Sequence, residues 1–124
     1  MKGVGIDLAS KDELQRLADT LSEGAFARLF TAAERKAAEK APDRMMYLTT
    51  RFAAKEAVYK AIAPIKGGIG FDLRIVETLN RPDGSPYVSR DGKFEEVLEK
   101  AEITQILISI TTVDHYAQAI AIVE

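Results

Sequence analysis

A chain of 124 residues, 47% hydrophobic and 29% charged, has the length and composition of one soluble globular domain, with core enough for one unit and too little for two. Its formal net charge of -2 argues against a general nucleic-acid binder, and the lack of cysteine excludes disulfides and thiolate metal sites. No apolar stretch has the length of a signal peptide or nears the roughly 20 residues of a membrane span, so a cytoplasmic protein is expected, without a membrane or nucleic-acid partner.

The first element is Gly3-Val4-Gly5-Ile6-Asp7-Leu8, a short apolar run that reads as a strand ending in an acid. Its glycines allow another backbone or a ligand to approach closely. Ser10-Lys11-Asp12-Glu13 has the pattern of a capping box, and Leu14, Leu17, Ala18 and Leu21 follow at helical spacing, which predicts a helix over 11–22 stopped by Gly24. Thr31-Ala32-Ala33-Glu34 repeats the device and opens a second helix over 32–40, closed by Pro42. A long helix over 44–63 ends at Pro64 and Gly67-Gly68. Leu73, Ile75 and Val76 predict a strand over 71–79, which Arg81-Pro82-Asp83-Gly84 turns into Tyr87-Val88 as a hairpin. Asp91-Gly92 starts a short helix over 93–101, with Phe94, Val97 and Leu98 on one side. Two β-rich runs, Ile103 to Thr111 and Tyr116 to Val123, flank a turn at Thr112-Val113-Asp114-His115. The expected class is α+β, an antiparallel sheet with helices packed on it, as a single domain over 1–124.

The chemistry concentrates in Arg51-Phe52-Ala53-Ala54-Lys55-Glu56-Ala57-Val58-Tyr59-Lys60. Glu56 and Lys60, four residues apart, share one helix face. A carboxylate able to hold a divalent metal beside a cation able to meet a phosphate is a minimal kit for phosphoryl-type chemistry, although the same spacing also describes an ordinary surface ion pair. Asp7, if brought against Glu56, supplies the second oxygen ligand that Mg²⁺ takes from protein; the alternative is a turn or capping acid.

Four blocks, Gly3-Val4-Gly5-Ile6-Asp7-Leu8, Leu29-Phe30-Thr31-Ala32-Ala33-Glu34, Arg51 to Lys60, and Gly84-Ser85-Pro86-Tyr87, together resemble the ordered signature of the holo-[acyl-carrier-protein] synthases, small 4'-phosphopantetheinyl transferases. The resemblance runs from about residue 3 to the C-terminus. It implies the 4'-phosphopantetheinyl transferase fold and transfer of phosphopantetheine from coenzyme A to a serine of an acyl carrier protein, with release of 3',5'-ADP. It also implies Mg²⁺ held by Asp7 and Glu56, Lys60 on the phosphate, and a homotrimer with coenzyme A in clefts between subunits.

Arg51, about 140° round the helix from Glu56, faces away from the metal and reaches a neighbouring subunit or the coenzyme A 3'-phosphate, unless it is simply a solvated arginine. Gly67 and its neighbours do not form a P-loop; they border the cofactor or merely stop the helix. Gly84 and Pro86 touch the adenine end or only form a hairpin turn. Where many members carry histidine after Ser-x-Ser or Ser-x-Thr, this chain has Thr112 in Ser109-Ile110-Thr111-Thr112, and its one histidine, His115, reads as a polar turn residue. Lys11, Arg16 and Arg28 are the candidates for docking an acidic carrier protein. Two rivals remain at this stage: a non-catalytic coenzyme A and carrier-protein binding module, and a plain structural domain.

Overall fold

In the computed structural model, which describes residues 1–124, the chain runs β1 (Gly3–Ser10), α1 (Lys11–Thr20), α2 (Glu23–Ala27), α3 (Ala32–Lys40), α4 (Arg44–Ile62), β2 (Thr78–Asn80), β3 (Pro86–Val88), α5 (Gly92–Lys100), β4 (Ile106–Val113) and β5 (Tyr116–Val123), with 3₁₀ turns at Ile65–Gly67 and Leu73–Ile75. β1, β5 and β4 form an antiparallel sheet in that order, and β2 with β3 makes a separate hairpin. The expected α+β class is observed. No helix is long and apolar enough to cross a membrane.

The centre of the molecule is α4 lying on the sheet, and small residues let it lie very close. Ala53, Ala57 and Ala61, one per turn, are buried against a sheet whose inward β5 residues are Ala117, Ala119 and Ala121. A Cβ on Gly5 would overlap the Ala57 carbonyl oxygen, and one on Gly3 the Ala61 carbonyl oxygen. The close approach that the glycines permit is therefore to a helix backbone of the same chain. Two residues of strand span about 6.6 Å and one turn of four helical residues about 6 Å, so β1 and α4 stay in step along their contact. Moving from Gly5 to Asp7 on the strand thus moves about one turn back along the helix, from Ala57 towards Ala53.

Around this pair, Val58, Ile62, Val76, Phe94 and Leu98 complete the main core, each fully buried aliphatic or aromatic side chain contributing about 1.5–3 kcal/mol. A smaller core of Leu14, Phe26, Phe30, Ala38 and Leu48 sits between α1, α2, α3 and the start of α4, with the Phe26 and Phe30 rings edge to face at 5.7 Å.

Five expectations need correction. The first strand does not end at its acid: β1 pairs with β5 through to Ser10, leaving Asp7 in its middle. The first helix does not run to residue 22: it ends at Thr20, and Gly24, read as its stop, lies inside the separate short α2, capped by Ser22 Oγ accepting from Ala25 N at 3.1 Å. Ser10 does cap α1 through Glu13 N at 3.0 Å, but Glu13 takes the Ser10 hydroxyl rather than the backbone N–H, so only α3 carries the complete capping box, between Thr31 and Glu34. The strand expected over 71–79 shrinks to Thr78–Asn80, because Asp72 Oδ1 accepts from Arg74 N at 2.9 Å and turns the chain into a 3₁₀ turn instead. β5 falls on the expected residues; β4 starts three residues late and runs through Val113, leaving Asp114-His115 as the turn, with Asp114 at φ 53°.

The face of the sheet turned away from α4 is apolar and open. Val4, Ile6 and Leu8 of β1 stand on it beside Ile120 of β5 and Leu107 of β4, all exposed.

Candidate active site

The register between β1 and α4 brings Asp7, Glu56 and Lys60 to one place. Lys60 Nζ lies 2.9 Å from Asp7 Oδ1 and 3.2 Å from the Ile6 carbonyl oxygen, so a side chain of α4 bridges to the middle of β1. Glu56 is half-buried one helical turn earlier. Burial chiefly pushes its carboxyl above the usual range, the Asp7 charge adds to this, and Lys60 opposes it. The Asp7 carboxylate and the Lys60 ammonium, paired with each other, are thus both close enough to Glu56 to act on its charge in opposite directions.

The other face of the same helix is occupied differently. Arg51, Lys55, Val58 and Ile62 form a stripe at helical spacing, and all four are buried. Lys55 Nζ sits 2.6 Å from Glu34 Oε1 with both side chains wholly shielded from solvent, and it also donates to the Val76 carbonyl oxygen. Glu34 accepts in addition from Thr31 N and Thr78 N, each at 2.9 Å. Burial pushes the Lys55 ammonium below its ordinary pKa, and Glu34 works against that. Arg51 donates to the Thr78 carbonyl oxygen and to Asn80 Oδ1, both at 3.0 Å, and its guanidinium lies 4.6 Å from the Tyr47 ring centre.

Arg51 is therefore not a solvated arginine. It faces away from Asp7 as the helix geometry requires, and its Nη1 binds β2. The buried Glu34–Lys55 pair escaped sequence analysis because Glu34 had a sufficient explanation as a helix cap. Its signal was the stripe itself, where two cations share the spacing of Val58 and Ile62.

The remaining candidates lie apart from the Asp7 cluster. Gly67, at φ 82°, belongs to the 3₁₀ turn just beyond α4, beside Lys66, which pairs with Glu102 at 2.9 Å. Gly84, at φ 90°, forms the turn of the β2–β3 hairpin, and its carbonyl oxygen accepts from Asn80 Nδ2 at 2.8 Å. Pro86 opens β3 and, with Arg81, Ser85, Tyr87 and Ile106, lines a hollow of about 210 Å³. Thr112 is an exposed residue of β4, and His115 is exposed in the β4–β5 turn, where its carbonyl oxygen accepts from Lys11 N at 2.8 Å. A groove of about 240 Å³ is lined by Ala9 and Ser10 at the end of β1, Glu13, Leu14 and Leu17 of α1, and Phe52 of α4.

Comparison with known proteins places the chain in a family. A profile of the 4'-phosphopantetheinyl transferase superfamily matches residues 3–121. The holo-[acyl-carrier-protein] synthase of Pseudoalteromonas atlantica is 35% identical over 122 residues, covering 98% of this chain and 95% of that protein. The chain belongs to the holo-[acyl-carrier-protein] synthases of this superfamily. Another such synthase, from Chlamydia muridarum, is 34% identical over 125 residues, covering all of this chain and 95% of its own. Among solved holo-[acyl-carrier-protein] synthases, the Neisseria meningitidis enzyme superposes with a TM-score of 0.88 at 25% identity, covering 100% of this chain and 98% of that one. The Bacillus anthracis synthase, solved in complex with coenzyme A (3',5'-ADP), gives a TM-score of 0.74 at 25% identity, covering 98% and 95%.

Proposed function

We propose that this chain transfers the 4'-phosphopantetheine group of coenzyme A to a serine of an apo acyl carrier protein in a Mg²⁺-dependent reaction in the cytoplasm, releasing 3',5'-ADP. The observation that carries the proposal is the meeting of Asp7, Glu56 and Lys60 at the β1–α4 seam. In the reaction the serine hydroxyl attacks the β-phosphorus of coenzyme A, the new P–O bond forms as the bond to the 3',5'-ADP oxygen breaks, and negative charge builds on crowded phosphate oxygens.

The donor set fits Mg²⁺. No cluster of three acidic or histidine ligands exists in the chain. Mg²⁺ keeps several waters and takes one or two carboxylates plus substrate phosphate oxygens, which is what Asp7 and Glu56 would leave room for. Bound there, the ion would supply charge neutralisation at the pyrophosphate. Lys60, half-exposed on its flexible stem, meets the phosphate oxygens and takes up charge from the leaving group. Glu56 is this chain's own acceptor for the serine proton.

Gly67, Gly84 and Pro86 border the coenzyme, and Arg51, buried and bonded to Thr78 and Asn80, serves that cleft by holding the hairpin that carries Gly84 and Pro86. The open apolar sheet face carrying Val4, Ile6, Leu8, Leu107 and Ile120 is covered by further copies of this chain in a homotrimer, and light scattering showing a monomer at assay concentration would remove that part of the proposal. For the carrier, Arg16 and Arg28 are exposed and unpaired with acids, whereas Lys11 is already engaged by Asp43 at 2.8 Å. Reversing Arg16 and Arg28 to Glu should slow transfer several-fold at low salt, with the difference shrinking at high salt and coenzyme A affinity unchanged; equal rates at low salt would discard this docking surface.

The test of the whole reading is the mass of an apo carrier protein incubated with the chain, coenzyme A and Mg²⁺. One added phosphopantetheine is expected, and Glu56→Gln or Asp7→Asn should lower the rate by about 10²–10³-fold. Undiminished transfer by both variants removes the catalytic assignment. Coenzyme A binding without any transfer by the unaltered chain leaves a non-catalytic binding module.

A further inference from the structure

We propose that Lys60 is an internal counter-ion that occupies Asp7 in the free protein, gives that carboxylate up when a divalent cation enters, and so couples cation binding to phosphate binding. The proposal rests on the reading of Asp7 and Glu56 as divalent ligands and adds to it a second task for the lysine.

The ammonium lies 2.9 Å from Asp7 Oδ1 and 3.2 Å from the Ile6 carbonyl oxygen, which are the two oxygens nearest the mouth of the seam on β1. A Mg²⁺ ion bonds carboxylate oxygen at about 2.0–2.1 Å. Oδ2 of Asp7 accepts no hydrogen bond, but a dication on either oxygen of this carboxylate would stand close to the ammonium with like charge, so the two compete for Asp7. Lys60 is the partner that can leave. Its side chain is 50% exposed, against 15% for Asp7, and its ammonium rides on a flexible four-carbon stem, so the pair breaks into water at little cost. Asp7 cannot follow, since β1 is locked to α4 by glycines whose Cβ positions are already filled by helix backbone. Glu56, the other acid on this side of α4, is half-buried and has no hydrogen-bond or ion-pair partner of its own. With the ion absent, Lys60 is the charge that keeps two neighbouring carboxylates tolerable.

Once displaced, the ammonium is one helical turn from Glu56 with its donors free, and an incoming pyrophosphate is the acceptor nearest to hand. Each ligand then removes an obstacle to the other. Cation binding frees Lys60 for phosphate, phosphate binding draws Lys60 off Asp7, and by linkage the two effects are equal in size.

The experiment measures Mn²⁺ binding to the full chain by electron paramagnetic resonance of the free ion at low ionic strength, with and without 3',5'-ADP, for the unaltered protein, Lys60→Met, Lys60→Arg and Asp7→Asn. Lys60 is exposed, so its variants are expected to fold as the parent does, with Lys60→Met melting lower by at most a few degrees for the lost counter-ion. Lys60→Met should bind Mn²⁺ alone about threefold to tenfold more tightly and lose much of the tightening that 3',5'-ADP gives the unaltered chain, while Lys60→Arg stays near the parent in the absence of nucleotide. If Asp7→Asn abolishes Mn²⁺ binding and Lys60→Met binds no more tightly than the parent, the counter-ion role is wrong and the metal site stands. If no variant differs from the parent and Asp7→Asn binds equally well, both the role and the metal reading fall.

Discussion

Lys55 and Lys60 stand five residues apart on one helix, and each reaches a carboxylate from a distant part of the chain, yet the two pairs do opposite things. The Glu34–Lys55 pair is sealed from water, and its remaining valences are spent on Thr31, Val76 and Thr78, so that it ties α3, α4 and the segment before β2 into one piece. The Asp7–Lys60 pair is open to water on the lysine side and has a free carboxylate, Glu56, next to it. Removing one member of a sealed pair strands a charge, whereas a wet pair can exchange partners at little expense. Burial, and not the identity of the residues, separates the structural pair from the chemical one.

The comparison breaks most directly at Lys55. Lys55→Met should destabilise the fold by about 3–5 kcal/mol, read as a lower urea midpoint, because Glu34 is left charged and buried; adding Glu34→Gln should recover part of the loss. A single variant as stable as the parent would mean that the pair is not the clamp described here. A smaller effect on stability, about 1–3 kcal/mol, is expected for Gly5→Ala, whose new methyl meets helix backbone that cannot move aside. This variant also tests the open pair, since shifting β1 by an ångström should lower transfer by about 10²-fold. Retained stability with full activity would show that the close strand–helix approach does not position Asp7.

The smallest effect concerns Glu56 alone. Its folded-state pKa is raised, so folding favours the protonated form, and that contribution is fully present below the unfolded-state pKa and lost as pH rises through the folded one. At neutral pH the ionised, half-exposed carboxylate therefore weakens the fold slightly. Glu56→Gln should melt a little higher than the parent at neutral pH, by the equivalent of less than about 1 kcal/mol after solvent screening, with the gap closing in acid. A gap that widens in acid would reverse the assigned sign.

Sequence pattern was most informative where local rules act alone. β5 alternates buried alanine or valine with exposed residues over the expected Tyr116–Val123, and α4 keeps its expected span within one residue because Asp43 caps it and Pro64 with the glycines beyond closes it. The strand expected over 71–79 forms only at Thr78–Asn80, because Asp72 caps a 3₁₀ turn before it and, although the Glu77 carbonyl oxygen accepts from Ser89 N at 2.9 Å on the β3 side, no strand lies along the other edge. The Val76 carbonyl goes to Lys55, the Thr78 N–H to Glu34 and the Thr78 carbonyl to Arg51. Side chains from two helices do there what a β partner would have done, and no periodicity records that.

The same division runs through the site. That Glu56 and Lys60 share a face, and that Gly3 and Gly5 admit a close neighbour, follows from spacing and from the missing Cβ atoms, which are properties of the chain itself. Which neighbour fills that space, which of the two lysines is sealed, and whether Asp7 ends beside Glu56 depend on how β1 docks across α4. Contacts between residues some fifty positions apart are chosen by packing of the whole domain, and only the folded molecule contains that choice.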